Sequence, residues 1–124
     1  MILKMKMLIC DDDSMSLRML EFQFKKDGFE VLKASTGKEA RTLLSENADI
    51  DALVTDMYIP SVNGLELLTY VRKTLRSAMP VVIISRVHVE ENILNAYELG
   101  ANEYLTKPFD LQNLSNRMKH LLKK

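Results

Sequence analysis

Apolar positions fall into five short runs separated by longer stretches with helical spacing. The runs cover residues 6–10, 30–34, 52–55, 81–85 and 103–106. The first, third and fourth are almost unbroken and rich in Ile, Val and Leu. Strands buried on both faces read this way, which predicts a parallel sheet covered by helices. Residues 14–27 carry Leu17, Leu20 and Phe24 on one face and lead to Gly28, placed for a left-handed C-terminal cap. Thr36-Gly37-Lys38-Glu39 has capping-box spacing and predicts a helix through Leu43 and Leu44. Residues 64–75 repeat Leu65, Leu68, Val71 and Leu75 at helical intervals, and residues 90–99 run up to Gly100. Asp110 stands as N-cap of a last helix that turns Leu111, Leu114, Met118, Leu121 and Leu122 inward. The βαβαβαβαβα order predicts right-handed crossovers and a doubly wound α/β sheet.

Composition narrows this picture only slightly. With 124 residues, 47% hydrophobic and 27% charged, the chain fits one domain over 1–124, and no linker, repeat or low-complexity tract divides it. Lys+Arg and Asp+Glu both number 17, so bulk charge gives no attraction to nucleic acid. Cys10, the single cysteine, lies in an apolar run and reads as a packed thiol in a reducing compartment. No apolar stretch is long enough to span a bilayer, and the N-terminal run ends at Asp11-Asp12-Asp13, so neither a membrane span nor a signal peptide is expected. The expectation is a cytoplasmic domain.

In open α/β sheets, ligands bind outside the carboxyl ends of the strands. The first strand delivers Asp11, Asp12 and Asp13 there, the third Asp56, the fourth Ser85 and the fifth Lys107. Each alone has an ordinary structural reading: a helix cap for Asp12 or Asp13, a turn residue for Ser85, a surface lysine for Lys107. Together they make convergent, complementary charge. Carboxylates gathered at one edge repel unless a cation neutralises them, and a hard divalent ion with oxygen ligands, such as Mg²⁺, suits that task. Adding a hydroxyl and an ammonium makes a pocket for a phosphoryl group, with one carboxylate as nucleophile. No GxxxxGK[ST] loop and no GxGxxG turn is present, and His88 and His120 lack zinc-ligand spacing and read as solvent-facing.

These residues resemble the receiver domains of bacterial two-component response regulators, and the size is similar to the single-domain chemotaxis type. LICDDDS resembles the first strand with its acidic pair. TDMYIPSVNG resembles the phosphoacceptor loop, VVIIS the fourth strand with its hydroxyl residue, and EYLTKPF the fifth strand with its Lys-Pro signature. The resemblance implies a flavodoxin-like (βα)5 three-layer sandwich with a five-stranded parallel sheet in the order 2-1-3-4-5. It implies Asp56 as phosphoacceptor, and Mg²⁺ (with Mn²⁺ as substitute) held by Asp11, Asp12, Asp56 and the backbone carbonyl of Tyr58. Asp12 would be the direct ligand and Asp11 the water-mediated one, while Asp13 is left to cap the first helix. Ser85 and Lys107 would bind the phosphoryl group, and Tyr104 would follow Ser85 inward as a switch. Pro60 and Gly64 would shape the acceptor loop, and Lys107-Pro108 matches a position where the peptide bond is cis. The implied partners are a sensor histidine kinase or histidine phosphotransfer protein upstream and an effector on the face of the fourth helix, fifth strand and fifth helix. A homodimer through the fourth and fifth helices is a further option.

Arg86 departs from the family, which mostly has a small residue beside the pocket. Its guanidinium could crowd access to Asp56, point outward or help bind a phosphoryl oxygen. Tyr58 and Val87 occupy positions that tune attack by water, and their bulk implies slow loss of the phosphoryl group. Two other readings compete with a phosphorylation switch. A small aspartyl-phosphate phosphatase would want an aspartate where Tyr58 stands and a cap domain. A pseudo-receiver would bind partners without phosphorylation, and the intact Asp11, Asp12, Asp56, Ser85 and Lys107 weigh against it.

Overall fold

The computed structural model describes residues 4–87 and 89–123. Strands β1 (Lys6–Cys10), β2 (Glu30–Ala34), β3 (Ile50–Asp56), β4 (Val81–Ser85) and β5 (Glu103–Thr106) alternate with helices α1 (Ser14–Lys26), α2 (Gly37–Glu46), α3 (Gly64–Thr69), α4 (Glu90–Glu98) and α5 (Leu111–Leu122). All strand pairs are parallel, as the apolar pattern predicts, and the order is β2-β1-β3-β4-β5, as the family resemblance implies. The three unbroken apolar runs are the three inner strands. Each is covered on both faces, which is why no polar alternation shows in them.

Alternate strand residues feed two cores. Met7, Ile9, Ala52, Val54, Val82 and Ile84 pack under Leu20 and Phe24 of α1 and Leu114 and Met118 of α5. Leu8, Leu53, Val81 and Ile83 pack under Ala40 and Leu44 of α2, Leu67, Leu68 and Val71, and Ala96 of α4. The period-2 alternation of strand side chains therefore builds the three layers. The edge strand β2 keeps a partly exposed face, which matches its mixed sequence.

Helix boundaries follow local chemistry. Asp13 caps α1 by accepting the Met15 N–H, and Asp110 caps α5 by accepting the Gln112 N–H. Gly28 and Gly100 take φ of 97° and 110°, the left-handed conformation that ends a helix. Three expectations need correction. Strand β3 is longer than 52–55: it begins at Ile50 because the Asp51 carboxylate, which breaks the apolar run, accepts the Lys6 N–H at 2.7 Å. The capping box at α2 is only half formed, since Thr36 accepts the Glu39 N–H but the Glu39 carboxylate accepts the N–H of Ser35. A complete box sits instead at α3, between Asn63 and Glu66. Residues 64–75 are not one regular helix: α3 gives way to a π-helical turn over Tyr70–Thr74, closed by Leu75 N–H donating to Tyr70 C=O.

Arg72, inside that turn, reaches across the end of the sheet where β4 and β5 begin. Its Nε and Nη2 donate to the Gly100 carbonyl at 3.1 and 2.8 Å, Nη1 to the carbonyls of Ser77 and Met79 at 2.9 and 2.8 Å, and Nη2 to Asn102 Oδ1 at 3.0 Å. All five guanidinium donors are used. The clamp fixes the starts of the strands whose other ends carry Ser85 and Lys107.

Candidate functional site

Register decides what meets at the carboxyl edge. Cys10 pairs with Thr55, so Asp11 follows directly beside Asp56. Asp56 lies across from Ile84, and Ser85 across from Thr106, which brings Ser85 and Lys107 to the same edge. Gly64 allows α3 to start tight against this edge: a Cβ there would lie 2.7 Å from the Asp56 carbonyl oxygen. Pro60 sends its carbonyl to the N–H groups of Gly37 and Val62, both at 3.0 Å, tying the acceptor loop to α2. The Lys107-Pro108 peptide bond is cis.

The carboxylates of Asp11, Asp12 and Asp56 each place an oxygen within 4.8 Å of the other two. Lys107 Nζ donates to Asp11 Oδ2 at 2.9 Å and to Asp56 Oδ2 at 2.8 Å. The remaining oxygens of these two accept backbone N–H groups, Asp13 to Asp11 at 2.9 Å and Tyr58 to Asp56 at 3.1 Å. Asp11 and Asp56 are buried, whereas Asp12 is exposed at the rim. Burial pushes the Asp11 carboxyl above its usual range, against the opposing pull of the Asp13 N–H and Lys107. Burial also works against the Lys107 ammonium, but its bonds to Asp56 and Asp11 outweigh that and raise its pKa. Lys107 therefore stays charged.

The cleft over Asp11, Asp12 and Asp56 has a volume of about 390 Å³, and Asp13, Tyr58, Arg86 and Val87 complete its walls. Its donors are all oxygens, with no sulfur or imidazole among the lining residues. Three carboxylates against one close ammonium leave negative charge to be offset. That donor set fits a hard divalent cation of the Mg²⁺ or Mn²⁺ kind.

The other predicted residues are placed as follows. Ser85 is wholly buried, and its Oγ accepts the Val87 N–H at 3.0 Å. Tyr104 is also buried, its hydroxyl donating to the Val87 carbonyl at 3.0 Å. Val87 thus links the two. Arg86 lies at the rim, its Nη2 3.7 Å from Asp13 Oδ2. Tyr58 is exposed, and its hydroxyl accepts the side-chain N–H of Asn92 on α4 at 3.0 Å. Sequence reasoning did not single out Asn92, and no local signal could have, because the contact spans 34 positions. His120 is exposed on α5, and the expectation for His88 lies outside the described residues. Among the described residues no helix is long and apolar enough to cross a membrane.

Known proteins with this architecture bear on the reading of the edge. A family model described as the response regulator receiver domain matches residues 7–119. The chain is 35% identical over 120 residues to the chemotaxis protein CheY1 of Helicobacter pylori, covering 95% of this chain and 97% of that one. Among solved structures it is similar to a response regulator receiver domain protein from Clostridium thermocellum, with a TM-score of 0.88 and 34% identity over 95% of this chain and 94% of the other. A CheX–CheY–BeF3–Mg²⁺ complex from Borrelia burgdorferi shares the fold with a TM-score of 0.89 at 24% identity, covering 97% and 90% of the two chains.

Proposed function

The chain belongs to the response regulator receiver domain family, and from that premise we propose that it is a phosphorylation-dependent signalling switch with Asp56 as phosphoacceptor. We take residues 1–124 as one receiver unit working in the cytoplasm. The observation that carries the reading is the single edge where the Asp11, Asp12 and Asp56 carboxylates meet, with Lys107 bonded to two of them.

Asp11, Asp12 and Asp56, with the Tyr58 backbone carbonyl, are the groups to hold Mg²⁺, with Asp12 as the direct side-chain ligand and Asp11 acting through water. When bound, Mg²⁺ supplies positive charge beside the phosphoryl oxygens. An Asp56 oxygen forms a bond to phosphorus as the P–N bond of a phosphohistidine breaks, and the electron pair stays on the departing imidazole nitrogen. Lys107, already bonded to Asp56, stabilises charge on the transferring oxygens as a compact cation. Later attack by water on phosphorus returns the Asp56 carboxylate and releases inorganic phosphate. Tyr58 and Val87, both on the cleft wall, screen phosphorus from that water and make the phosphorylated form long-lived.

The output runs through bonds already present. Ser85 Oγ accepts the Val87 N–H, so a shift of Ser85 to donate its O–H to a phosphoryl oxygen pulls on Val87, which holds the Tyr104 hydroxyl. Tyr104 N–H in turn donates to the Tyr97 hydroxyl on α4 at 3.2 Å. A shift of Ser85 therefore reaches the α4–β5–α5 face, where an effector docks. The upstream partner is a sensor histidine kinase or histidine phosphotransfer protein. Neutral overall charge supports no direct contact with nucleic acid by this unit.

Incubation with acetyl phosphate, followed by intact-mass measurement, tests the reading. One added phosphoryl group is expected on the wild type with Mg²⁺, none with chelator and none on D56N. Equal labelling of D56N would refute it. Turnover of phosphate esters without retained label would favour a phosphatase instead.

A further inference from the structure

We propose that Arg86 is a mobile ligand of the phosphoryl group, held at rest on Asp13 and transferred to a phosphoryl oxygen once Asp56 is modified; this rests on the switch reading above. Arg86 directly follows Ser85, the last residue of β4, and β4 pairs with β3 beside Asp56. Its side chain lines the same cleft as Asp11, Asp12 and Asp56.

The resting contact is loose. Arg86 Nη2 stands 3.7 Å from Asp13 Oδ2, beyond hydrogen-bond distance, and the two side chains are 73% and 39% exposed. Ion pairs this open contribute little. Asp13 does not depend on it, because Oδ1 accepts the Met15 N–H and Oδ2 the Ser16 hydroxyl, both at 3.1 Å. Arg86 is therefore cheaply released. A phosphoryl group on Asp56 offers a stronger partner on the same wall, carrying more charge than one carboxylate and oxygens spaced for a bidentate guanidinium. Lys107, bonded to Asp11 and Asp56, is one cation at this edge, and Arg86 on the cleft wall adds a second. Once transferred, Arg86 covers phosphorus from water and draws on the start of the β4–α4 segment next to the Ser85–Val87 link.

The test measures the decay of the phosphorylated form by intact mass after donor removal, and beryllofluoride affinity by ¹⁹F NMR, for wild type, R86Q, R86K, D13N and R86Q/D13N. Asparagine caps a helix as well as aspartate, so D13N keeps α1 intact. R86Q is expected to bind beryllofluoride about tenfold more weakly, the factor one charge-assisted hydrogen bond supplies, and to lose its phosphoryl group several-fold faster. R86K should fall between. D13N should bind more tightly than wild type, and that gain should vanish in the R86Q background. Unchanged or slower decay in R86Q would overturn the inference by making the guanidinium a bystander or an obstacle. So would an equal D13N gain in both backgrounds. A wild type that takes no phosphoryl group on Asp56 overturns the switch reading along with it, whereas a phosphorylated wild type matched by R86Q overturns the inference alone.

Discussion

Removing Lys107 isolates the electrostatics on which the edge depends. In K107M the stem keeps its packing while the ammonium between Asp11 and Asp56 disappears. The two carboxylates, only 1% and 9% exposed as side chains, then face each other unscreened. Two unit charges no more than 4.8 Å apart repel by at least about 3.5 kcal/mol at an effective dielectric constant of about 20. Burial already raises the Asp11 pKa, and without Lys107 the repulsion raises it further, so partial protonation relieves some of this cost. Lys107 also gave up hydration to sit there, which offsets part of the loss, so a net destabilisation of about 3 kcal/mol is expected in chelator. Mg²⁺ binds only the folded edge and should find it more negative in the variant, so the stabilisation by Mg²⁺ should be larger in K107M than in wild type. Urea unfolding with chelator and with excess Mg²⁺ reads both quantities. K107M equal to wild type in chelator, or a smaller Mg²⁺ effect in the variant, would refute the reasoning.

Other consequences follow from groups away from the edge. R72M removes five hydrogen bonds to loop acceptors and should cost about 3–5 kcal/mol in urea unfolding, with R72K recovering only part because an ammonium cannot fork. A loss below about 0.5 kcal/mol would contradict the clamp. Burial pushes the Cys10 thiol up to about 12, so alkylation at neutral pH should require unfolding, and fast labelling of native protein would contradict its packing. Burial opposes the Asp27 charge, but bonds from Ser115, Gln23 and Lys119 prevail and lower its pKa below 3.8. Its contribution is thus present above the unfolded pKa and lost as pH falls through the folded one. D27N should be about 1–3 kcal/mol less stable than wild type at pH 7, with the gap closing toward pH 3; a constant gap would deny the linkage.

The parallel sheet made much of this legible in advance. Parallel strands point the same way, so their last residues share an edge wherever the register falls, and Asp11, Asp12, Asp56 and Lys107 could be placed together from spacing alone. Four strands end where apolar runs end. The start of β3 was hidden because Asp51 reads as a break until its bond to the Lys6 backbone is seen. The π turn left no periodic trace, since Leu65, Leu68, Val71 and Leu75 fit an ordinary helix equally well. Arg72 looked like any polar helix position because its acceptors Gly100 and Asn102 lie 28 and 30 positions away. Contacts between distant segments, such as Arg86 with Asp13 and Tyr58 with Asn92, depend on side-chain directions that no local pattern encodes.

Calorimetric titration with Mg²⁺ addresses the central claim, that Asp11, Asp12 and Asp56 form one cation site, most directly. One ion per chain is expected for the wild type, bound at least about tenfold more weakly by D12N and by D56N, the loss of one charged ligand. Absence of binding to the wild type, or equal affinity in all three proteins, would contradict it.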